Sequence, residues 1–412
     1  MNLALNYNQP ITMHIDLNSC FAILEQQANP LIRNKPVAVA AYDTPKGMIL
    51  ASSYEAKALG IKLMLNVREA RIRCRDIIIL TPDPEKYYDA LRRFRSVLLN
   101  YTNEVTAKSV DEFVVDFKGS RALQNGLTME DIGNCIKEDI RIALGEYVTV
   151  NVGIAPNRFL AKLAAGLHKP DGLDVLSAEN LRTVYAQLQL DDLPGINSRY
   201  RARLNMAGIY TPLQFLDAPI WKLKHEVFHS MVGFYWYLRL RGYEIDTVDF
   251  GRKSYGQQYA LGNKTKDPEE LSRLLMKLCE KTGRRLRKGG FVGGGVHLSL
   301  TFENKTFWSH GKKIHQDIFS TQDIFLGAQR LLNTVPMPAR VTNMAVTVYN
   351  LHPSTPEQLG LFDDSRLDTR SLAKAADIVN DRYGEFTVVP AIMANMQDTI
   401  LKRIAFGSVK DL

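Results

Sequence analysis

Over about the first 175 residues, short apolar stretches alternate with segments whose apolar residues recur at helical spacing. Runs of β-branched and other apolar residues predict strands at 13–16, 36–40 and 148–154. Apolar residues three and four apart predict helices at 91–100 and 158–168. From about 177 to 241 the pattern is almost entirely helical. A mixed α+β segment followed by a helical one is therefore expected.

The C-terminal part has a clearer pattern. Apolar residues at helical spacing predict a helix from about 268 to 288, after which glycines end it. Strict alternation from 296 to 302 and again from 345 to 349 predicts two half-buried strands. These elements predict a second, smaller α+β module, and a further helix is expected at 369–382.

Charge distinguishes this module from the rest of the 412-residue chain. The whole chain has a formal net charge of +8, whereas residues 252–353 hold 16 Lys and Arg against 7 Asp and Glu. A solvated basic face is one interpretation. The other is a module that grips phosphates, because neutralised phosphates release counterions and so drive binding.

Cysteine usage and hydropathy limit the class of protein. The four cysteines are scattered without zinc-ligand or disulfide spacing, and no apolar run is long enough to span a membrane. We therefore expect a soluble protein of a reducing compartment, the cytoplasm.

Acidic residues mark two predicted strands. Asp16 ends the first strand, and Asp111 and Glu112 are adjacent within an apolar, β-branched run. An acid at a strand end is usually a turn or helix cap. Two consecutive acids in a strand point to opposite faces, so one would be buried at a cost unless a cation neutralises it. Carboxylates of this kind suit Mg²⁺ and two-ion phosphoryl transfer.

Five motifs then occur in order along the chain. They are Ile-Asp-Leu-Asn-Ser-Cys-Phe-Ala at 15–22, Ala-Ser-Ser-Tyr-Glu-Ala-Lys at 51–57, Ser-Val-Asp-Glu at 109–112, Gly-Ile-Ala-Pro-Asn at 153–157 and Leu-Ala-Lys-Leu-Ala-Ala at 160–165. Together they resemble a Y-family translesion DNA polymerase, and Asp-Leu-Asn-Ser in the first motif resembles the UmuC-like branch of the ImpB-MucB-SamB type. The resemblance covers residues 10–362, approximately.

The resemblance implies a multidomain α+β fold shaped like a right hand. It places a palm at 11–22 and 80–176, small fingers at 23–79 and a helical thumb at 177–241. A linker at 242–253 would lead to an α+β little finger at 254–353 and a C-terminal tail at 354–412. The implied activity is low-fidelity, template-directed DNA synthesis opposite or past damaged bases, as in DNA repair and the SOS response.

Several site residues follow from the resemblance. Asp16, Asp111 and Glu112, with the backbone carbonyl of Leu17, match the ligands of two Mg²⁺ ions, for which Mn²⁺ is a substitute. Phe21 matches the steric gate that excludes the ribose 2′-hydroxyl; by itself it would read as a core aromatic.

The incoming dNTP would contact three further residues. Tyr54 and Lys57 match the pair that binds the triphosphate, although arginine is commoner at the second place, and lysine lacks its bidentate fork. Lys169 matches the palm lysine, and its alternative is an exposed turn residue.

Contacts with primer-template DNA and a sliding clamp are also implied. The turn at Leu-Pro-Gly-Ile 193–196 resembles a helix-hairpin-helix, so Gly195 would approach a phosphate. The basic module supplies the other candidate DNA contacts, which are Arg252, Lys253, Arg284, Arg285, Arg287 and Lys288. Residues Gln358, Leu359, Leu361 and Phe362 resemble a bacterial sliding-clamp-binding peptide; packing back on the chain is its alternative. Unidentified accessory proteins are further expected partners.

Two other functions remain open from the residues. A nucleotidyl cyclase shares a palm with paired acids but needs neither a basic module nor a clamp peptide. A non-catalytic damage-response accessory factor would need no palm acids.

Overall fold

A computed structural model of the chain describes residues 3–246, 251–354, 364–396 and 399. The described residues form two compact units, 3–246 and 251–399, and the division between them falls inside the predicted linker. Within the described part of the chain, no helix combines the length and apolar character needed to cross a bilayer.

The first unit is built on a five-stranded sheet with the order β5-β6-β1-β7-β8. Its strands are β1 (Thr12–Leu17), β5 (Val105–Ala107), β6 (Glu112–Asp116), β7 (Val150–Ala155) and β8 (Leu173–Val175). β1 lies antiparallel to both β6 and β7, and β7 lies parallel to β8. The central strand β1 is thus hydrogen-bonded on both sides, which fixes its register.

Alternation along β1 decides what each face of this sheet carries. Met13, Ile15 and Leu17 enter the main core, whereas His14 and Asp16 point to the opposite face. The core lies against two amphipathic helices, α4 (Pro84–Leu99) and α6 (Met129–Leu144). The polar positions of β1 are therefore left for the site.

Helix α7 (Arg158–Leu167) packs on β7 and β1 at unusually short range. A side chain at Gly153 in β7 would clash with the carbonyl oxygen of Ala161 and the amide nitrogen of Ala165. The sequence Val-Asn-Val-Gly-Ile-Ala therefore uses glycine where a helix backbone touches the sheet.

A small three-stranded sheet with the order β3-β2-β4 occupies the segment predicted as fingers. It consists of β2 (Val37–Ala40), β3 (Ile49–Ser52) and β4 (Ile78–Leu80), with α2 (Tyr54–Ala58) and α3 (Val67–Arg73). A separate small core, which includes Ala38, Ile49 and Ile61, holds it together. The other short elements of the first 130 residues are α1 (Cys20–Ala28), a 3₁₀ turn (Pro30–Ile32) and α5 (Arg121–Gln124).

Residues 177–241 are helical, in agreement with the periodicity. The elements are α8 (Leu181–Gln187), a 3₁₀ turn (Leu190–Asp192), α9 (Ser198–Met206), α10 (Pro212–Asp217), α11 (Ile220–Lys222), a π-helical turn (Leu223–Val227) and α12 (Val232–Leu240). Their aromatic core, around Tyr185, Phe215 and Trp236, is continuous with Phe159 and Leu160 of α7. This segment is therefore anchored to the central sheet through α7.

The second unit is a four-stranded antiparallel sheet with the order β11-β10-β12-β9, covered on one face by two helices. The strands are β9 (Ser254–Thr265), β10 (Phe291–Phe302), β11 (Phe307–Ile318) and β12 (Val341–Pro353), and the helices are α13 (Pro268–Lys288) and α14 (Thr321–Leu332). Leu271, Leu274, Leu275 and Leu278 are all buried, as the periodicity of α13 predicts. The predicted helix at 268–288 and the two predicted strands are confirmed.

The predicted helix at 369–382 lies within α15 (Asp364–Tyr383), after which a 3₁₀ turn (Ala391–Met393) follows. Leu372 of this helix is 70% exposed. Asp377 and Asp381 of α15 contact α13.

Candidate active site

The three predicted acids lie at one end of the central strand pair. Asp16 in β1 is directly opposite Glu112 in β6. The Leu17 N–H donates to the carbonyl of Asp111 at 2.8 Å, which fixes Asp111 beside the end of β1. β6 begins at Glu112, so the expectation that both acids lie inside a strand is wrong for Asp111. Strand pairing nevertheless brings Asp16 and Glu112, which are 96 positions apart, into adjacent places.

Each of these carboxylates has its own partner in the structure. Lys169 forms an ion pair with Asp16, and Lys162 donates to both oxygens of Glu112 at 2.9 and 2.7 Å. Ser109 donates to Asp111. No group of three His, Cys, Asp or Glu side chains in the described residues is arranged to hold one metal ion. The predicted ligands are thus neighbours across the paired strands, but the side chains of Asp16 and Glu112 are directed to lysines and that of Asp111 to a serine.

The chemistry of these donors fits Mg²⁺. Carboxylate oxygens are the hard ligands that this ion prefers. Burial raises the pKa of the Asp111 carboxyl; the hydrogen bond from Ser109 opposes the rise, and the charge of Glu112 adds to it. A buried carboxyl with a raised pKa beside a second acid is a place where a cation is stabilising.

His14 faces the same side of the sheet as Asp16 and Glu112. Its ring is only 2% exposed, and Nε2 lies 3.9 Å from Glu112. Burial, together with the charges of the nearby Lys162, Lys169 and Lys108, lowers the pKa of His14 to about 3. The imidazole is therefore neutral at physiological pH, and its Nδ1 has no hydrogen-bond partner among the described residues.

A cavity of about 600 Å³ opens beside His14 and Glu112, between the central sheet and the helical segment. Its cationic lining consists of Lys108, Arg158, Lys162 and Arg239. Gly195, Tyr200 and Trp236 line the opposite wall. Arg239 is held by a two-pronged contact with Asp246. The cavity thus extends from Glu112 to the glycine turn that the sequence predicts to approach a phosphate.

An asparagine network holds the loop that carries Lys169. Asn18 donates to Asn151 at 2.9 Å, and Asn151 donates to the carbonyl of His168, also at 2.9 Å. Asn151 is fully buried and lies opposite Asp16 in the sheet. Sequence reasoning missed it, although a buried-strand pattern interrupted by one asparagine was a usable signal.

Phe21 is completely buried. Its ring stacks on Tyr87 with centroids 4.3 Å apart and an interplanar angle of 10°. The Tyr87 hydroxyl donates to Glu25 at 2.8 Å, and Lys86 also contacts Glu25 at 2.8 Å. This burial matches the core interpretation of Phe21, and the gate role stays a prediction. Tyr87 and Glu25 were not identified from the sequence.

Tyr54 and Lys57 lie together at the start of α2. Ser53 caps this helix, since its side chain accepts from the N–H of Ala56. The Lys57 ammonium lies 4.3 Å from the centre of the Tyr54 ring and donates to the Ser19 hydroxyl at 2.6 Å. Burial lowers the pKa of Lys57, and it likewise lowers that of Lys169. The predicted pair is therefore adjacent to the loop that follows Asp16.

The glycine turn has the backbone that the sequence suggested. Gly195 has a φ of +90°, a conformation that favours glycine. In the basic module, Arg252 stacks over Tyr255 at 4.5 Å, and Arg285 donates to the carbonyl of Gly256 at 3.0 Å. Lys253 and Lys288 are exposed.

Arg284 and Arg287 are engaged elsewhere. Arg287 binds Asp377 of α15 through two hydrogen bonds of 2.6 and 2.9 Å. Arg284 pairs with Asp381 at 2.7 Å, and Asp377 lies 3.7 Å from it. These two side chains are therefore paired with acids of α15 and are only 13% and 6% exposed, and their role as DNA contacts stays a prediction. The clamp-type residues Gln358, Leu359, Leu361 and Phe362 lie outside the described residues.

Sequence comparison shows the family. The profile of the impB/mucB/samB family matches residues 15–166, and that of the family's C-terminal domain matches residues 252–361. DNA polymerase IV of Moorella thermoacetica is 32% identical over 387 residues, which cover 92% of this chain and 94% of the relative. DNA polymerase IV of Pelotomaculum thermopropionicum is 31% identical over 383 residues, which cover 92% and 94%.

Solved structures agree in fold. A Y-family DNA polymerase chimera of Dbh and Dpo4 superimposes with a TM-score of 0.71 at 24% identity, covering 82% of this chain and 98% of that one. An insertion ternary complex of Dbh DNA polymerase gives a TM-score of 0.55 at 24% identity, with coverage of 82% and 98%. The α+β polymerase fold expected from the sequence is therefore confirmed. The chain belongs to the impB/mucB/samB family and has the fold of the Y-family DNA polymerases.

Proposed function

We propose that this chain is a template-directed, low-fidelity DNA polymerase that inserts dNTPs opposite or past damaged template bases. The observation that carries the proposal is the register of β1 and β6, which sets Asp16 opposite Glu112 with Asp111 alongside, in a chain of this family. The cavity beside Glu112 has a cationic lining that would bind nucleic acid.

Asp16, Asp111, Glu112 and the Leu17 carbonyl would hold two Mg²⁺ ions. When bound, such ions lower the pKa of the attacking hydroxyl and neutralise charge on the phosphates. The protein's own part is to bind and orient. Backbone pairing fixes the acids, and the buried asparagine network fixes the loop of Lys169.

Other side chains of the site would bind the incoming dNTP and the primer strand. Tyr54, Lys57 and Lys169 would bind the triphosphate, and Phe21, backed by Tyr87, would contact the sugar. The primer strand would enter the cavity lined by Lys108, Arg158 and Gly195, where cations and turn amides suit its phosphates.

The proposal also includes the domain boundaries and the contacts outside the active site. The chain would be divided into palm, fingers, thumb, linker and little finger at the boundaries given above. Arg252, Lys253, Arg285 and Lys288 of the second unit would contact primer-template DNA. Gln358, Leu359, Leu361 and Phe362 would tether the enzyme to a sliding clamp on bacterial DNA in the cytoplasm. The UmuC-like branch rests on Asp16-Leu17-Asn18-Ser19 alone, and the relatives reported above are named DNA polymerase IV.

Primer extension with purified protein and Mg²⁺ tests the function. The parent should add dNTPs to a primer on a lesion-bearing template. Asp111→Ala and Glu112→Ala should abolish addition while DNA binding, measured by anisotropy, persists. Lesion tolerance in cells that survives both substitutions would indicate an accessory role instead.

A further inference from the structure

Lys162 joins the acids to the cavity. It projects from α7, donates to both oxygens of Glu112 and also lines the cationic wall. Its side chain is 46% exposed, whereas that of Glu112 is 22% exposed. The same ammonium is therefore within reach of a carboxylate on one side and of solvent on the other.

The contact with Glu112 opposes metal binding. A lysine that holds both carboxylate oxygens occupies the positions that a cation would use, and its charge repels a divalent ion. Lys169 likewise forms an ion pair with one carboxylate oxygen of Asp16. A metal ion that binds Glu112 must therefore displace Lys162 or share the Glu112 carboxylate with it.

The cavity offers Lys162 an alternative partner. Arg239 is held by Asp246, and Arg158 donates to the Asp246 carbonyl at 3.2 Å. These guanidinium groups are fixed by the wall itself. Lysine has a flexible four-carbon stem and three donors, so it can turn from one anion to another. A phosphate in the cavity would be such an anion.

We propose that Lys162 exchanges Glu112 for a backbone phosphate of the primer strand, so that DNA binding frees Glu112 for Mg²⁺. This inference rests on the proposed function. Lys162 is on this view a positioning residue that couples two binding events. Because coupling is reciprocal, Mg²⁺ must strengthen DNA binding by the same factor by which DNA strengthens Mg²⁺ binding.

The test uses the full-length protein, a dideoxy-terminated primer on its template and no dNTP, so that no reaction occurs. The DNA dissociation constant is measured by anisotropy in Mg²⁺ and in EDTA at matched ionic strength. Glu112→Gln supplies the baseline, because it removes the acid but keeps any general effect of Mg²⁺ on DNA. Relative to that baseline, Mg²⁺ should tighten DNA binding to the parent about 5-fold or more.

Lys162→Met should lose this Mg²⁺ effect and, without DNA, should bind Mg²⁺ more tightly than the parent in calorimetry. Lys162→Arg should retain the effect. Lys264→Met is the matched control, since Lys264 pairs with Glu303 at 3.0 Å with 43% exposure but lies in the second unit; it should retain the effect as well.

The exchange is overturned if Mg²⁺ tightens DNA binding to Lys162→Met as much as to the parent. It is also overturned if Mg²⁺ tightens DNA binding to the parent no more than to Glu112→Gln. An unblocked primer separates this result from the polymerase proposal. If the parent extends that primer while the Mg²⁺ effect is insensitive to residue 162, only the exchange fails. If the parent extends nothing under any condition, the proposed function fails.

Discussion

Replacing Phe21 by alanine separates its two interpretations. The ring is fully buried and stacked on Tyr87, so the substitution should lower the free energy of unfolding by about 3–5 kcal/mol. For a unit of this size that corresponds to a melting temperature lower by roughly 6–20 °C. If Phe21 is also the steric gate, the variant should accept ribonucleotides.

The size of the second effect follows from packing. Forcing an additional oxygen against a packed ring costs about 1–3 kcal/mol, which is ~5- to 150-fold in rate. The ratio of kcat/KM for a dNTP over the matching ribonucleotide should fall by that factor in Phe21→Ala. Primer extension well below the melting temperature, with one nucleotide at a time, measures it.

Phe94→Ala is the matched control. Phe94 is also completely buried in the same core and meets Phe113 edge to face at 4.7 Å. It should show a similar loss of stability and no change in sugar selectivity. The gate assignment is wrong if the two variants have the same selectivity, or if Phe21→Ala keeps the parent's ratio.

Three further outcomes are expected. Lys57→Ala should raise the KM for dNTPs about 10-fold or more, because a charge-assisted contact contributes ~1.5–3 kcal/mol. Lys62 is exposed, so Lys62→Ala should leave the KM unchanged, and steady-state kinetics of the two variants measures the difference. Asp111→Asn should be inactive yet more stable than the parent in EDTA. Burial raises the pKa of Asp111 in the folded state. The parent should therefore lose stability relative to the variant as the pH rises from the ordinary aspartate pKa through the raised pKa. Equal melting temperatures of the two proteins at every pH would contradict this. Arg287→Ala should cost about 3 kcal/mol of stability, because Asp377 loses both hydrogen bonds from Arg287 and keeps only the 3.7 Å contact with Arg284. The salt dependence of DNA binding should be unchanged; a shallower salt slope would show that Arg287 contacts phosphate after all.

The local sequence pattern was sufficient to predict helices and strands in which the apolar periodicity extends over many residues and capping or breaking residues mark both ends. Helix α13 is the clearest case, since Asp267 caps it, Pro268 begins it and glycines follow it. Its four leucines were correctly placed in the core. The acids could be found individually, but not their register, because the pairing of Asp16 with Glu112 depends on contacts between strands distant in sequence.

The errors also have physical causes. A run of basic residues does not reveal whether water, DNA or acids from elsewhere in the chain neutralise it, and Asp377 lies 90 positions after Arg287. Likewise, the sequence around Lys162 was recognised as a motif, but only side-chain geometry connects it with Glu112. Long-range pairing is the information that residue type and spacing lack.

Gly153 shows how such pairing is maintained. With only a hydrogen at this position, the backbone of α7 rests directly on β7, and that depth sets how far the Lys162 ammonium reaches toward Glu112. A single methyl group at 153 would lift the helix and withdraw the lysine while leaving every acid unchanged. The distance between helix α7 and strand β7 thus decides how much positive charge lies beside Glu112.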